Sequence, residues 1–567
     1  MNIIQKSKIW EKSPFDSKTR NKVRELKKNP DLLYDSFYKN LEFGTGGIRG
    51  IMGVGTNRVN KYTIGKTTQG LAKYLLKSFK NDNIKVVLAY DCRNNGVLYS
   101  KVVSNVLSAN GIICYVFRDI RPTPQLSFAI KELNAHCGIM LTASHNPPEY
   151  NGYKVYWSDG GQIVPPIDKN LIEIINSTKY EEINFKSEKK YITKISKNFD
   201  NKFIEASTKS VKFKVLNQEN LKITFSSLHG TSIKILPDLM KKEGFKNFNI
   251  VTIESQPDGN FGKLSSPNPE DPKSFKESLK LANKTDSDIV IVTDPDADRL
   301  GIAIRNDNKK LVLLNGNQTM VIFTDFLLNQ LRLKKKLNKN YFVATTIVST
   351  PLMSKIAENY GVDCKITLTG FKWISKLISE NKNIKFIGGG EESYGYLVGD
   401  LIRDKDAITS SLLACKIAAY LKNQNKSIYD YLISIYKKYG LYKEKLISIE
   451  KKGKKGNEEI NNLMNFYRKY KSEYLGKYQI LVKEDYESGF STNLKSTKKN
   501  KLNLPRTNLL RFIFNDGSIL SIRPSGTEPK IKLYISVNMS IKFDGKIEKI
   551  EANLNNRIEN IIRSLKI

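Results

Sequence analysis

Cysteine is scarce in this chain: five residues in 567 (Cys92, Cys114, Cys137, Cys364 and Cys415), odd in number and without a CxxC pair. A zinc ribbon needs clustered thiolates and a disulfide framework needs partners. Both are excluded, and the pattern fits a reducing cytoplasm. Long apolar runs are missing too. No stretch approaches the roughly 18 uncharged apolar residues of a membrane span. Residues 1–6 carry no apolar core of a secretory signal, so a cytoplasmic chain without a membrane partner is expected. Two nucleotide signatures are also absent. Gly65-Lys66-Thr67 ends like a P-loop, but Asn60 stands where the first glycine belongs. Gly44 and Gly46 are followed by Arg49 at the third glycine's place in GxGxxG, so ATP and NAD chemistry lack support.

Acidic residues are outnumbered, with 57 Asp and Glu against 93 Lys and Arg, a formal charge of +36. Nucleic-acid binding is one explanation. The lysines, however, run along the whole chain, and there is no RNP-type aromatic motif, Cys/His finger or heptad zipper. The favoured reading is a Lys-, Asn- and Ile-rich composition spread over solvated surface, with no nucleic-acid partner. A positive field of this kind attracts an anionic substrate.

Apolar residues at 40% and aromatics at 10% supply enough material for sizeable cores. At about 150 residues per domain the chain predicts three or four units. Three segments repeat short apolar runs with helical periodicity. In the first, strands are expected at 84–90, 112–117 and 138–142, with a helix carrying Val102, Val103, Val106 and Leu107 that Gly111 ends. The second places strands at 221–226, 248–253 and 288–293 around helices 232–243 and 273–282. The third places strands at 341–346, 362–366 and 385–387 among helices 317–331, 350–360 and 371–380. Such alternation implies largely parallel sheets covered by helices. Residues 180–202 read as a connection or peripheral hairpin, and 437–457 as a linker. The fourth unit is α+β, with a helix at 458–470, strands at 510–514, 519–523 and 531–537, and a final helix from Ile547. The expected boundaries are 1–205, 206–315, 316–440 and 441–567.

Each unit sends a strand into a loop of small, polar or charged residues, where open α/β sheets bind ligands. The first loop is Thr142-Ala143-Ser144-His145-Asn146-Pro147, with Lys154 ten residues beyond the serine. Ser144 fits a nucleophile or phosphoryl carrier, and the tripeptide seen alone fits better an ST-turn with an N-capping role. The second is Asp294-Pro295-Asp296-Ala297-Asp298-Arg299 after the apolar run 289–292. Three carboxylates at i, i+2 and i+4 repel unless a cation sits among them, and hard oxygen ligands select magnesium or a similar divalent ion. An EF-hand is excluded, because Arg299 and Arg305 occupy its glycine and glutamate places. The third, 388–395, has the sequence GGGEESYG; its glycines allow close approach and its carboxylates suit sugar hydroxyls. The fourth, 523–530, has the sequence RPSGTEPK and makes a phosphate cradle or an ordinary strand connection.

Together these loops resemble the α-D-phosphohexomutase family, the phosphoglucomutases and phosphomannomutases, in the family's order along nearly the whole chain. Residues 43–50, FGTGGIRG, look like its N-terminal FGTxGxRG element. An N-terminal extension of about forty residues and the segment Asn57-Arg58-Val59-Asn60 are similar to the phosphoglucomutase-2-like branch, which includes phosphopentomutases. The resemblance implies an α/β fold, with three similar mixed α/β domains and a smaller, mobile α+β C-terminal domain around a central cleft. It implies a hexose 1-phosphate/6-phosphate mutase, acting on glucose first and on mannose also, through a phosphoserine enzyme and a 1,6-bisphosphate intermediate. Ser144 would be the phosphorylated serine. Asp294, Asp296 and Asp298, with a phosphoryl oxygen on Ser144, would hold Mg²⁺, and glucose 1,6-bisphosphate would be the activator. Glu391 and Ser393 would bind sugar hydroxyls, and Arg523, Ser525, Gly526 and Thr527 the phosphate that is not reacting. Arg49, His145, Lys154 and Arg299 match charged positions near the transferred group, with Lys154 or His145 as proton shuttle. The expected partner is a small-molecule sugar phosphate, and the oligomeric state is monomer or dimer.

Three alternatives stay open at this point. A phosphopentomutase acting on ribose or deoxyribose 1-phosphate follows from the branch. A haloacid-dehalogenase-like phosphatase would use Asp294 as nucleophile, but its DxDx[TV] motif would need Thr or Val where Asp298 stands. A basic nucleic-acid-binding protein on a degenerate mutase scaffold would show steeply salt-dependent binding and no turnover.

Overall fold

The computed structural model describes residues 2–565 apart from 45–46, 81, 263, 452, 526–529 and 541–546. It divides into two compact units, one formed by Met1–Gly316 with Phe371–Ser427 and the other by Asn317–Gly370 with Ile428–Ile567.

In the first unit, strand Lys85–Tyr90 lies between Cys137–Leu141 and Ile113–Phe117, and both pairings are parallel. Val86, Val87 and Leu88 are fully buried, as expected for strands covered on both faces. Strands Tyr150–Trp157 and then Gly47–Ile51 extend the sheet antiparallel beyond Cys137–Leu141. The helix Lys61–Ser78 starts at Asn60, whose side chain accepts the N–H groups of Tyr62 and Thr63. The residue that breaks the P-loop pattern is therefore a helix cap, and Gly65-Lys66-Thr67 lies inside that helix. Three N-terminal helices, Ile3–Ile9, Ser17–Leu26 and Pro30–Phe37, bury Trp10, Phe15, Val23 and Phe37 against Tyr62. Trp10 and Phe15 stack with ring centres 4.3 Å apart.

Residues 180–202 are more than a connection. Ile192–Ile195 is the outer parallel strand beside Ile113–Phe117, and the helix Asn198–Ser210 follows it. Thr193 and Lys194 face solvent there, which is why the segment reads as polar.

The second sheet of this unit runs in the order Leu311–Leu314, Leu300–Arg305, Ile289–Thr293, Lys222–Ser226, Asn247–Ile250. Every residue of Ile289–Thr293 is buried. The expected helix 232–243 splits into a 3₁₀ turn, Thr231–Lys234, and the helix Leu236–Lys242, with Pro237 in its first turn. Strand Lys385–Glu391 extends four residues past the expected 385–387, because it pairs antiparallel with Gly395–Val398. The glycines of the third loop therefore belong to a strand, and a Cβ at Gly388 would sit 2.4 Å from the Tyr396 hydroxyl. The helix Ala407–Lys422 is almost wholly buried and capped by Asp406.

The second unit holds the parallel pair Tyr341–Thr346 and Asp363–Thr367, with helices Leu352–Asn359 and Ile428–Tyr439. Its other sheet is antiparallel, in the order Leu441–Glu450, Lys530–Met539, Ile519–Pro524, Leu510–Phe514, Tyr478–Asp485, Phe490–Asn493, Lys499–Lys501. Helices Gly453–Arg468 and Ile547–Arg563 complete an α+β arrangement, the latter burying Ile550, Leu554, Ile558 and Ile561. The expected linker at 437–457 is a correction: Leu441–Glu450 pairs along its whole length with Lys530–Met539. It is an edge strand on which Lys445 and Glu450 are exposed, and that charge is what the sequence shows.

Candidate active site

Strand Cys137–Leu141, buried throughout, ends at Thr142 and delivers Ser144 into a left-handed conformation with φ 54°. The Ser144 N–H donates to Thr142 Oγ1 at 2.8 Å. Its hydroxyl, 1% exposed, donates to Asp294 Oδ2 at 3.1 Å and lies 3.3 Å from His145 Nδ1. Asp294 leaves the buried strand Ile289–Thr293. Its Oδ1 accepts the N–H groups of Asp298 at 3.0 Å and Arg299 at 2.9 Å, which closes the loop on itself. Ala297, at φ 55°, completes the turn. Asp294, Asp296 and Asp298 thereby bring one carboxylate oxygen each within 4.8 Å of one another, all buried.

Cations surround the trio. Lys154, on the strand beside the serine loop, places Nζ 2.7 Å from Asp296 Oδ2 and 3.2 Å from Asp298 Oδ2. Lys405 Nζ lies 3.3 Å from Asp298 Oδ2 and 3.6 Å from Glu391 Oε1. The Arg299 guanidinium pairs with Glu270, and its Nε stands 3.8 Å from Asp298 Oδ1 and 3.9 Å from Asp294 Oδ2. Thr123 donates its N–H to Asp296 O and its hydroxyl to Asp296 Oδ2.

Like charges about 4 Å apart repel by about 4 kcal/mol even at an effective dielectric near 20. That energy decides the protonation pattern. Burial, then Asp298 and Asp296, push the Asp294 carboxyl well above its ordinary value. Burial would raise Asp298 as well, but Lys405, Lys154 and Arg299 reverse the sign and hold it ionised. Burial would lower Lys154, and Asp296 and Asp298 raise it instead, so the ammonium stays charged. Burial, with Arg299 and Arg49 nearby, lowers His145 well below 6.5 and keeps its imidazole neutral.

Asp296 Oδ1 and Asp298 Oδ1 are buried without a hydrogen-bond partner among the described residues. Unsatisfied anionic oxygens beside a third carboxylate are a donor set that fits a hard divalent ion.

Of the residues singled out from sequence, Ser144, His145, Lys154, Asp294, Asp296, Asp298, Arg299 and Glu391 come together in this first unit. Arg49 joins them from the exposed face of Gly47–Ile51, in register with Gly152, and its charge contributes to the lowering of His145. Ser393 lies half-buried in the turn after Glu391, and the next residue, Tyr394, accepts the N–H of Leu300 at 2.9 Å. Arg523 and Ser525 are half-buried in the second unit. Arg523 pairs in register with Lys532, and Ser525 N–H donates to Lys530 O at 2.7 Å. Gly526 and Thr527 lie outside the described residues. Sequence reasoning missed Lys405, Glu270 and Thr123. The run Arg403-Asp404-Lys405-Asp406 was a visible signal of concentrated charge; the others had none, since only folding brings them to the loop.

A strand-end serine set against caged carboxylates and ringed by cations is the arrangement of an enzyme that moves phosphoryl groups on an α/β scaffold. Comparison with known proteins specifies it further. The four phosphoglucomutase/phosphomannomutase domain families match in sequence: alpha/beta/alpha domain I at residues 40–182, domain II at 201–308, domain III at 315–439, and the C-terminal domain at 481–540. A phosphoglucomutase of Staphylococcus epidermidis is 38% identical over 516 residues, 90% of this chain and 93% of that protein. A phosphoglucomutase of Staphylococcus aureus is 36% identical over 524 residues, 91% and 93% of the two. The solved structure of the exocytosis-sensitive phosphoprotein parafusin, a phosphoglucomutase from Paramecium, shares the fold at a TM-score of 0.68 and 17% identity, covering 94% of this chain and 96% of that one. The chain belongs to the phosphoglucomutase/phosphomannomutase family.

Proposed function

We propose that this protein is a hexose-phosphate mutase that interconverts hexose 1-phosphate and hexose 6-phosphate, with glucose as its first substrate and mannose as its second. The observation that carries the reading is the Ser144 hydroxyl 3.1 Å from Asp294, beside a buried trio with two unsatisfied oxygens. The relatives at 36–38% identity are named phosphoglucomutases, which favours a hexose over the pentose alternative.

Ser144 carries the phosphoryl group. In the phosphoenzyme the Ser144 oxygen–phosphorus bond breaks as the sugar phosphate's free hydroxyl oxygen bonds to that phosphorus, which gives the 1,6-bisphosphate; once this has turned over, the Ser144 oxygen bonds to the other phosphorus as that phosphorus parts from its sugar oxygen. Asp294, Asp296 and Asp298 would hold Mg²⁺, which when bound would neutralise charge on the transferring phosphoryl group. Arg299 and Arg49 stabilise the same charge from the protein side. His145, held neutral 3.3 Å from the serine oxygen, is ready to accept its proton. Lys154 stays charged and orients Asp296 and Asp298. Glu391 and Ser393 take the sugar hydroxyls. Arg523 and Ser525, with Gly526 and Thr527, take the non-reacting phosphate, a role suited to a guanidinium and loop donors. A serine ester hydrolyses slowly, so the phosphoenzyme waits for substrate, and a 1,6-bisphosphate serves as intermediate and activator.

A coupled assay on glucose 1-phosphate, mannose 1-phosphate and ribose 1-phosphate, with and without Mg²⁺ and glucose 1,6-bisphosphate, tests this. Turnover on the hexoses that needs Mg²⁺ and rises with bisphosphate is expected. Turnover confined to ribose 1-phosphate, or no turnover at all, overturns it.

A further inference from the structure

The Ser144 hydroxyl reaches Asp294 because the serine backbone stays left-handed. For a residue with a Cβ that conformation costs on the order of 1–3 kcal/mol and persists only where the surroundings enforce it. The enforcing group comes from another strand end. Arg93, 2% exposed, follows strand Lys85–Tyr90 and spreads its guanidinium beneath the serine loop. Nη2 donates to Ser144 O at 2.8 Å and to Asn146 O, while Nη1 donates to Pro147 O at 2.7 Å and Tyr150 O at 2.8 Å.

The support continues on both sides. Arg93 Nε lies 3.4 Å from Asp91 Oδ2, which accepts the Thr142 hydroxyl at 2.5 Å, and Thr142 Oγ1 in turn accepts the Ser144 N–H. The Phe261 ring covers the guanidinium at 4.9 Å from its centre. Four carbonyls gathered by one planar fork are a demand that arginine meets and the compact ammonium of lysine does not.

We propose that Arg93 is a positioning residue for the phosphoryl carrier, holding Ser144 in the strained conformation that aims its oxygen at the carboxylate trio, with Phe261 steadying the guanidinium. The proposal rests on the reading of Ser144 given above. Arg93 touches no substrate; it acts through the loop backbone. Misplacing a reacting group by about 1 Å costs about 100-fold in rate, whereas binding groups elsewhere are untouched.

The test compares wild type, Arg93→Lys and Phe261→Leu on glucose 1-phosphate with Mg²⁺ and glucose 1,6-bisphosphate, at a temperature well below each protein's unfolding midpoint. Arg93→Lys should lower kcat about 100-fold while KM moves less than about twofold, because the loss falls on the transferring group alone. Phosphate on the Ser144 peptide after incubation with the bisphosphate, read by mass, should fall in parallel. Phe261→Leu keeps every Arg93 hydrogen bond and should lower kcat several-fold, again without a KM change. A folded Arg93→Lys protein with kcat within about twofold of wild type, or with kcat and KM worsening together, overturns the proposal. If Arg93→Lys does not fold, Phe261→Leu decides, and an unchanged kcat there overturns it. Inactive wild type would instead overturn the mutase reading, so the two failures are distinct.

Discussion

At the scale of single residues, Ser144 and Lys154 carry opposite kinds of consequence. Ser144 is a covalent carrier in the proposed reaction, and its hydroxyl contributes one hydrogen bond to folding. Ser144→Ala should therefore lower coupled-assay turnover by about three orders of magnitude or more, while thermal unfolding shifts little. Lys154 is different, because its buried ammonium answers two buried carboxylates. Lys154→Met takes the cation from Asp296 and leaves Asp298 to Lys405 and Arg299, and should cost about 3–5 kcal/mol in urea unfolding. Added Mg²⁺ should recover part of that loss, since a ligand of the native state stabilises it. A Lys154→Met protein as stable as wild type without divalent ions would refute the electrostatic account.

Elements place these residues, and two of them yield separate expectations. Gly152 sits on Tyr150–Trp157 where a Cβ would come 2.4 Å from Thr142 O and 2.5 Å from Ile48 O. Gly152→Ala should force apart the strands that carry Arg49 and the serine loop, lowering stability by about 1–3 kcal/mol and turnover with it. The second element is the helix Ala407–Lys422. Burial raises the carboxyl of its cap, Asp406, to about 6. In the unfolded chain an aspartate titrates near 3.9, so between about pH 4 and 6 the folded state binds the extra proton. Stability should fall as pH rises through that window, by at most about 1.4 kcal/mol per pH unit from this group. Asp406→Asn keeps a capping oxygen and does not titrate, so its pH–stability curve should be flatter there. An identical curve would assign the slope elsewhere.

For the whole molecule, the charge of +36 gains a use beside a site built for phosphates. A positive field raises the encounter rate of an anionic sugar phosphate and is screened by salt. kcat/KM should fall as ionic strength rises, with kcat nearly constant; a salt-independent kcat/KM would leave the charge without a catalytic consequence. None of the described helices is long and apolar enough to cross a membrane.

Motif order and strand–helix alternation are read along the chain, so the family and the α/β class were legible in the sequence, and the serine loop and the aspartate trio each needed only one strand and the loop after it. The edge strands Ile192–Ile195 and Leu441–Glu450 were not, because an edge strand shows solvent the same kinds of residue a linker does, and only its neighbour's hydrogen bonds distinguish them. The company the site keeps was equally hidden. Lys405, Glu270 and Arg93 reach the serine and aspartate loops from segments far away in sequence, and no spacing rule encodes a distance that only the packed chain sets. Sequence chose the serine and the aspartates; tertiary structure decided the protonation of the carboxylates and the aim of the hydroxyl, because burial and charge pairing exist only once the chain has folded.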